Sequence, residues 1–297
     1  MTLRLRGLIA ATFTPMLDDG SADLTKIAAV TDFVIKQGAN GLFVCGSTGE
    51  SPSLSVQERM DVASAYVEAN AGRVPVIVHV GHNSLSDGRE LAAHAVALQA
   101  DAIALVPPSY FSLTSVQGIV DAVGAISDAA PHTPVYYYHI PRLTGVGIRM
   151  RDLLCEVDTH IPQFAGIKFS SFEFDDLITC VHYRDRHYNI LFGSDEMLLA
   201  GLAMGVDGAV GSTFNFLAPW YRAVIDAFEE GNLAEAQRRQ LEVTQIVHRI
   251  LDHGGHNALK AAMGICGREC GPPRLPIRAL ASDDLSALQT TLKRVVL

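Results

Sequence analysis

The chain has little basic charge, few cysteines and few aromatic residues. Lysine and arginine total 23 of 297 residues, against 32 aspartates and glutamates, so the net charge is −9. A nucleic-acid-binding surface is normally basic, so that class is excluded. An acidic surface also attracts no anion from a distance, and any anionic substrate has to be held by local donors. Only five cysteines occur, Cys45, Cys155, Cys180, Cys266 and Cys270. An odd number at scattered spacing reads as reduced thiols and a cytoplasmic chain. Cys266 and Cys270 have no second pair or His-x-x-x-His beside them, so no metal is expected. No apolar run reaches the ~18 residues of a membrane span, and Met1–Arg6 lacks the apolar stretch of a signal peptide. There is no G-x-G-x-x-G, no P-loop, no H-E-x-x-H and no G-x-S-x-G. Dinucleotide, nucleotide, zinc-protease and serine-hydrolase chemistries therefore have no support.

What is present is alternation. Eight runs rich in Val, Ile, Phe or Tyr and bounded by Gly or Pro read as strands: Gly7–Pro15, Gly41–Gly46, Val74–Gly81, Ala102–Pro108, Pro134–Pro141, Phe164–Ser171, Tyr188–Asp195 and Gly208–Thr213. Between them lie amphipathic stretches such as Asp23–Gln37, Ser55–Ala71 and Ser86–Leu98, with apolar residues three or four apart and caps at Asp23, Ser55 and Ser86. Eight strand–helix units predict an α/β fold, a (β/α)8 TIM barrel over residues 1–231. Residues 232–297 predict a C-terminal helical extension packed on the barrel, with helices over Leu233–Asp252, His256–Cys266 and Asp283–Val295 and a stiff Gly271–Pro276 connector. Barrel chemistry sits at the C-terminal ends of the strands, which directs attention to five places.

The second strand ends in Gly46-Ser47-Thr48-Gly49-Glu50-Ser51. Its glycines permit a tight turn with exposed N–H groups that suits a carboxylate or phosphate; an ordinary capped loop is the alternative. On the fifth strand, alternation puts Tyr136 and Tyr138 on one face and Tyr137 and His139 on the other. Tyr138 lies nearer the rim and could enter the mouth, or simply pack in the core. The sixth strand carries Lys168 inside an apolar run. Lysine is almost never buried without a partner, so Lys168 is either half of an ion pair or an amine kept dry to attack a ketone as a Schiff-base nucleophile. Ser170 shares its face. The seventh strand ends in Gly193-Ser194-Asp195-Glu196, which could grip a polyol, bind a metal, act as acid and base, or merely favour a helix N-terminus; adjacent strand residues point opposite ways, which disfavours a shared metal. The eighth ends in Gly211-Ser212-Thr213. His79 reads as a satisfied core histidine.

Together, Gly46-Ser47-Thr48-Gly49-Glu50, Tyr138-His139-Ile140-Pro141, Gly166-Ile167-Lys168 and Gly211-Ser212-Thr213 resemble the N-acetylneuraminate lyase and dihydrodipicolinate synthase family. Its members are class I aldolases that handle pyruvate through a Schiff base on a (β/α)8 barrel, and the resemblance covers nearly the whole chain. Leu143 stands where the synthases carry an arginine, Gly193-x-Asp195-Glu196 resembles the motif with which the lyases hold a glycerol tail, and Tyr136–Pro141 looks like the animal-type lyases. Ser194 departs from the larger residue of many lyases, and Ser170 from the threonine common in bacterial members. The resemblance implies reversible cleavage of N-acetylneuraminate to N-acetylmannosamine and pyruvate. Lys168 forms the imine and Tyr138 is the base. Ser47 and Thr48 hold the carboxylate, Ser170 orients the C4 hydroxyl, and Gly193, Asp195, Glu196 and Ser212 bind the tail. It further implies no cofactor, a homotetramer, and a Tyr110 that reaches a neighbouring subunit's site. A 2-keto-3-deoxy sugar acid aldolase, a dihydrodipicolinate synthase and a non-catalytic sugar-acid-binding barrel are the alternatives.

Overall fold

The computed structural model describes residues 3–111 and 113–295. Among these, eight parallel strands close into a barrel in sequential order, each paired with the next and β8 with β1. They are β1 Gly7–Ala11, β2 Gly41–Val44, β3 Val76–His79, β4 Ala102–Leu105, β5 Val135–His139, β6 Phe164–Phe169, β7 Asn189–Phe192 and β8 Gly208–Gly211. Every strand is one that the sequence predicts, but each is shorter at its C-terminal end. The pairing of β1, for instance, stops at Ala11 although buried residues run on through Thr12 to Phe13. Those surplus residues leave the ladder to form the loops of the barrel mouth, where a β-prone sequence no longer implies a strand.

Two apolar layers follow from alternation. Ile9, Phe43, Ile77, Ala104, Tyr136, Tyr138 and Leu191 fill the barrel. Leu8, Val44, Val78, Tyr137 and Ile167 pack outward with the surrounding helices. The helix Val56–Asn70 starts in a complete capping box, Ser55 with Glu58. The helix Leu85–Ala97 is capped by Ser84, whose hydroxyl accepts from the Asp87 N–H, and not by Ser86. Both serines flank Leu85, and only the one at 84 sits where its oxygen reaches the third amide of the helix. After the helix Phe214–Glu229 come Leu233–Leu251, His256–Cys266 and Ser282–Val295. All five cysteines are free thiols. No helix among the described residues is long and apolar enough to cross a membrane.

One irregularity decides where Lys168 points. On β5 and β6, Val135 pairs with Phe164 but Tyr136 pairs with Gly166, so Ala165 is an extra residue. Below the bulge Ala165 faces the barrel; above it the phase reverses and Ile167 and Phe169 face the helices. A one-residue shift moves a whole side-chain set to the other face. The shift is what turns Lys168 inward. Gly166 permits it, because a Cβ there would collide with the Asn189 carbonyl.

Candidate active site

Lys168 lies level with Tyr138 on β5 and Leu191 on β7. It is 4% exposed. Its Nζ sits 3.9 Å from the centre of the Tyr138 ring and 4.2 Å from that of Phe43. Among the described residues no carboxylate lies within ion-pairing distance of it. The ion-pair alternative therefore fails, and the ammonium rests on aromatic faces instead. Such contacts shelter the amine without engaging its lone pair when it is neutral, which suits a nucleophile.

The aromatic cage has two further members, Phe43, which no sequence motif marks, and the core histidine His79. Phe43 meets the Tyr138 ring edge-on at 5.7 Å, and His79 meets it at 6.1 Å. Counting by twos along β2 and β3 from the inward Ile77 would have placed both inside. His79 is indeed satisfied: Arg59 Nη2 lies 3.3 Å from its Nδ1, and the Val106 amide lies 3.3 Å from its Nε2. Burial, and then the Arg59 and Lys168 charges, hold its pKa well below the usual imidazole value, so it is neutral. Arg59 is 2% exposed and donates to the carbonyls of Gly81 and His79.

The loop after β2 lies at the same C-terminal end of the barrel. Thr48 Oγ1 and Ser212 Oγ meet at 2.6 Å, so the loops after β2 and β8 join through a pair of hydroxyls. Ser47 is half-buried beside them. Thr14 steadies the turn by donating to the Gly49 carbonyl at 2.7 Å. Asn215 donates to the carbonyls of Ala11 and Ser212 and steadies the β8 loop. Glu50 does not join its motif partners at the mouth. Its carboxylate is buried against the C-terminal helices.

Ser170 and Gly193 are neighbours, since a Cβ on Gly193 would fall on the Ser170 hydroxyl. That hydroxyl is buried without a protein partner. Asp195 and Glu196 do not end the seventh strand, which stops at Phe192; they form a single 3-10 turn, Asp195–Met197. Their tasks differ. Asp195 Oδ2 accepts from the Thr213 amide at 2.8 Å and from the Thr213 hydroxyl, which also meets the Tyr221 hydroxyl. It therefore ties the seventh loop to the eighth. Glu196 has its backbone carbonyl held by Gln240 and Thr244. Burial, and then the adjacent Asp195 charge, push its carboxyl up to about 7. Arg142, next to Leu143 in the turn Pro141–Thr144, acts on Glu196 through its charge. Tyr110 stands apart from all of these, 81% exposed and edge-on to the equally exposed Phe111.

A buried lysine with no carboxylate partner among the described residues, beside a tyrosine and at the barrel end that carries a turn of hydroxyls, is an arrangement for imine chemistry on a keto acid. The family model for the dihydrodipicolinate synthetase family matches residues 4–295. The chain belongs to that family. Its relatives share more than the family fold. The chain is 43% identical over 279 residues to N-acetylneuraminate lyase A of Xenopus laevis, covering 92% of this chain and 91% of that one. Among solved structures, the N-acetylneuraminate lyase of Proteus mirabilis superposes with a TM-score of 0.96 at 34% identity, over 99% of both chains. A sialic acid aldolase of Ruminococcus gnavus, solved as a catalytic-lysine mutant, superposes with a TM-score of 0.93 at 30% identity, covering 99% and 97%.

Proposed function

We propose that this protein is an aldolase that reversibly cleaves N-acetylneuraminate to N-acetylmannosamine and pyruvate through an imine on Lys168. The observation that carries the reading is the inward lysine without a carboxylate partner, in register with Tyr138. The likeness to lyases of that name supports the substrate.

In this reading Lys168 Nζ adds to the C2 ketone of the open-chain sugar, and water leaves to give a protonated imine. Tyr138 takes the C4 hydroxyl proton, directly as phenolate or by relay through the substrate carboxylate. The C3–C4 bond then breaks. Its electrons move to C3 and are held as an enamine by the former imine, while C4 becomes the aldehyde carbon of N-acetylmannosamine. The enamine takes a proton at C3, and water hydrolyses the imine to release pyruvate and free Lys168. Ser47 and Thr48, with their backbone N–H groups, hold the carboxylate. The unpartnered Ser170 hydroxyl meets the C4 hydroxyl, and Gly193, Glu196 and Ser212 line the path of the tail.

One observation leaves room for a shorter substrate. Asp195 Oδ2 is taken by Thr213, so only its other oxygen is left to accept from a long polyol. A 2-keto-3-deoxy sugar acid is the second reading. A product assay with N-acetylneuraminate against a panel of 2-keto-3-deoxy acids decides between them, and failure on every member overturns both. We further propose a cytoplasmic homotetramer. The exposed Tyr110 and Phe111, with Leu143 and Phe172 also exposed, support a subunit boundary near the mouth. Sedimentation of an active monomer would remove that assembly and the role of Tyr110 with it.

A further inference from the structure

Glu50 closes the β2 loop but turns its back on the mouth. Its side chain is fully buried, as is that of Lys260 from the helix His256–Cys266. Lys260 Nζ donates to Glu50 Oε1 at 2.6 Å, and His256 Nε2 lies 3.3 Å from the same oxygen. The Arg274 amide in the connector donates to Oε2 at 2.7 Å. Three groups from the C-terminal extension thus converge on one carboxylate of the barrel. Burial alone would raise the Glu50 pKa, but His256, the Lys260 charge and the Arg274 amide hold it below the ordinary carboxylate value.

The backbone explains why this matters at the mouth. Glu50 has φ +58° and so does Cys45, both in the left-handed region that non-glycine residues occupy only under constraint. Between these two lie Gly46, Ser47, Thr48 and Gly49, the turn that presents the carboxylate-binding hydroxyls and amides. The Glu50 amide donates to the Ser47 carbonyl at 3.1 Å, so any change in Glu50 conformation passes directly to Ser47.

We propose that Lys260 is a positioning residue for carboxylate recognition, acting through its buried ion pair with Glu50 to hold the Ser47–Thr48 turn in its binding shape. The proposal rests on the reading of that turn as the carboxylate site. The competing account is that the pair only fastens the extension to the barrel. The two accounts separate because pyruvate has a carboxylate and its methyl ester does not, although both present the same ketone to Lys168.

The test compares the full-length parent, Lys260→Met and the double variant Glu50→Gln/Lys260→Met, which leaves no unpaired buried charge. Borohydride trapping at Lys168 is followed against the concentration of pyruvate and of methyl pyruvate, with melting curves to verify folding. Loss of charge-assisted binding at the turn raises the half-saturating pyruvate concentration by ~10-fold or more in the folded variants. The trapping rate at saturation and the methyl pyruvate curve stay within about two-fold of the parent. Unchanged half-saturation for pyruvate, equal shifts for the two ketones, or variants that simply do not fold would each assign the pair to the fold alone and overturn the proposal. A parent that pyruvate cannot trap overturns the Schiff-base reading itself, and that result is read before any variant is compared.

Discussion

Tyr136 and Tyr138 stand two residues apart on one strand and face the same interior, yet their surroundings are opposite. Tyr136, at the lower end of the barrel, donates to Asn189 Oδ1 at 2.8 Å. Asn189 accepts from the Leu5 amide as well and donates to the Leu5 carbonyl and to Asp207. Asp207 is flanked in turn by Arg4 and Arg186. Every polar group there has a protein partner, as permanent burial demands. At the mouth, among the described residues, Lys168 has no carboxylate partner and the buried Ser170 hydroxyl has no protein partner. The same barrel therefore holds one polar layer closed on itself and one left incomplete. The incomplete layer is the one at the strand ends where barrel enzymes do their chemistry. Stability is drawn from the first and reactivity from the second.

That division can be tested from either side. Lys168→Ala removes the nucleophile and should lower turnover by about 10⁵-fold or more while the fold melts no earlier than the parent. Borohydride with pyruvate, followed by peptide mass mapping, should label Lys168 in the parent; label at another lysine refutes the assignment. Tyr138→Phe should cost ~10²–10⁴-fold in turnover yet still permit the pyruvate adduct, because imine formation precedes the loss of the C4 proton. A loss of only a few-fold would move the base elsewhere.

Asp195 and Glu196 sharpen the contrast within the mouth. Glu196→Gln should lower catalytic efficiency on N-acetylneuraminate by ~10–150-fold and leave a six-carbon 2-keto-3-deoxy acid nearly unaffected. Asp195→Asn should depress both substrates alike, since Asp195 holds Thr213. The reverse pattern would exchange their roles. Glu196 also gives a pH signature. Its carboxyl stands near 7 in the folded chain against an ordinary 4.5. The folded state thus binds the proton more tightly than the unfolded one. The stability this confers is complete below pH 4.5 and is lost as the pH rises through about 7. Glu196→Gln should flatten that decline in melting temperature between pH 4.5 and 8; a parallel decline in both proteins would place the titration on another group. The smallest catalytic effect belongs to the closed layer. Tyr136→Phe should leave turnover within about two-fold and cost about 1 kcal/mol in urea unfolding, because Asn189 keeps its other partners.

The barrel was legible because its signals repeat: eight apolar runs with helical spacing between them leave few other architectures. Lys168 was legible because a charge in an apolar strand is rare. Its inward direction was not derivable by counting, since the Ala165 bulge reverses the phase and only the paired strand reveals it. Asp195 stands out in the sequence as one of two adjacent acids, but its bond to Thr213, 18 residues away, comes from closure of β7 against β8 and cannot be seen in the motif. Glu50 was hidden for the same reason at greater range. A motif gives the residue types of a loop, but not which of them face the substrate and which face the scaffold.

The range of that last contact bears on how the enzyme comes into being. Glu50 and Lys260 are 210 residues apart in the chain. At ~5–20 residues per second, a ribosome delivers the lysine about 10–40 seconds after the glutamate. Through that interval the nascent barrel carries a turn whose acid has neither its covering helices nor its counter-charge. If Lys260 shapes the turn as proposed, competence at the mouth arrives late, with the closing helices, and a chain stalled before residue 260 carries Lys168 without that support.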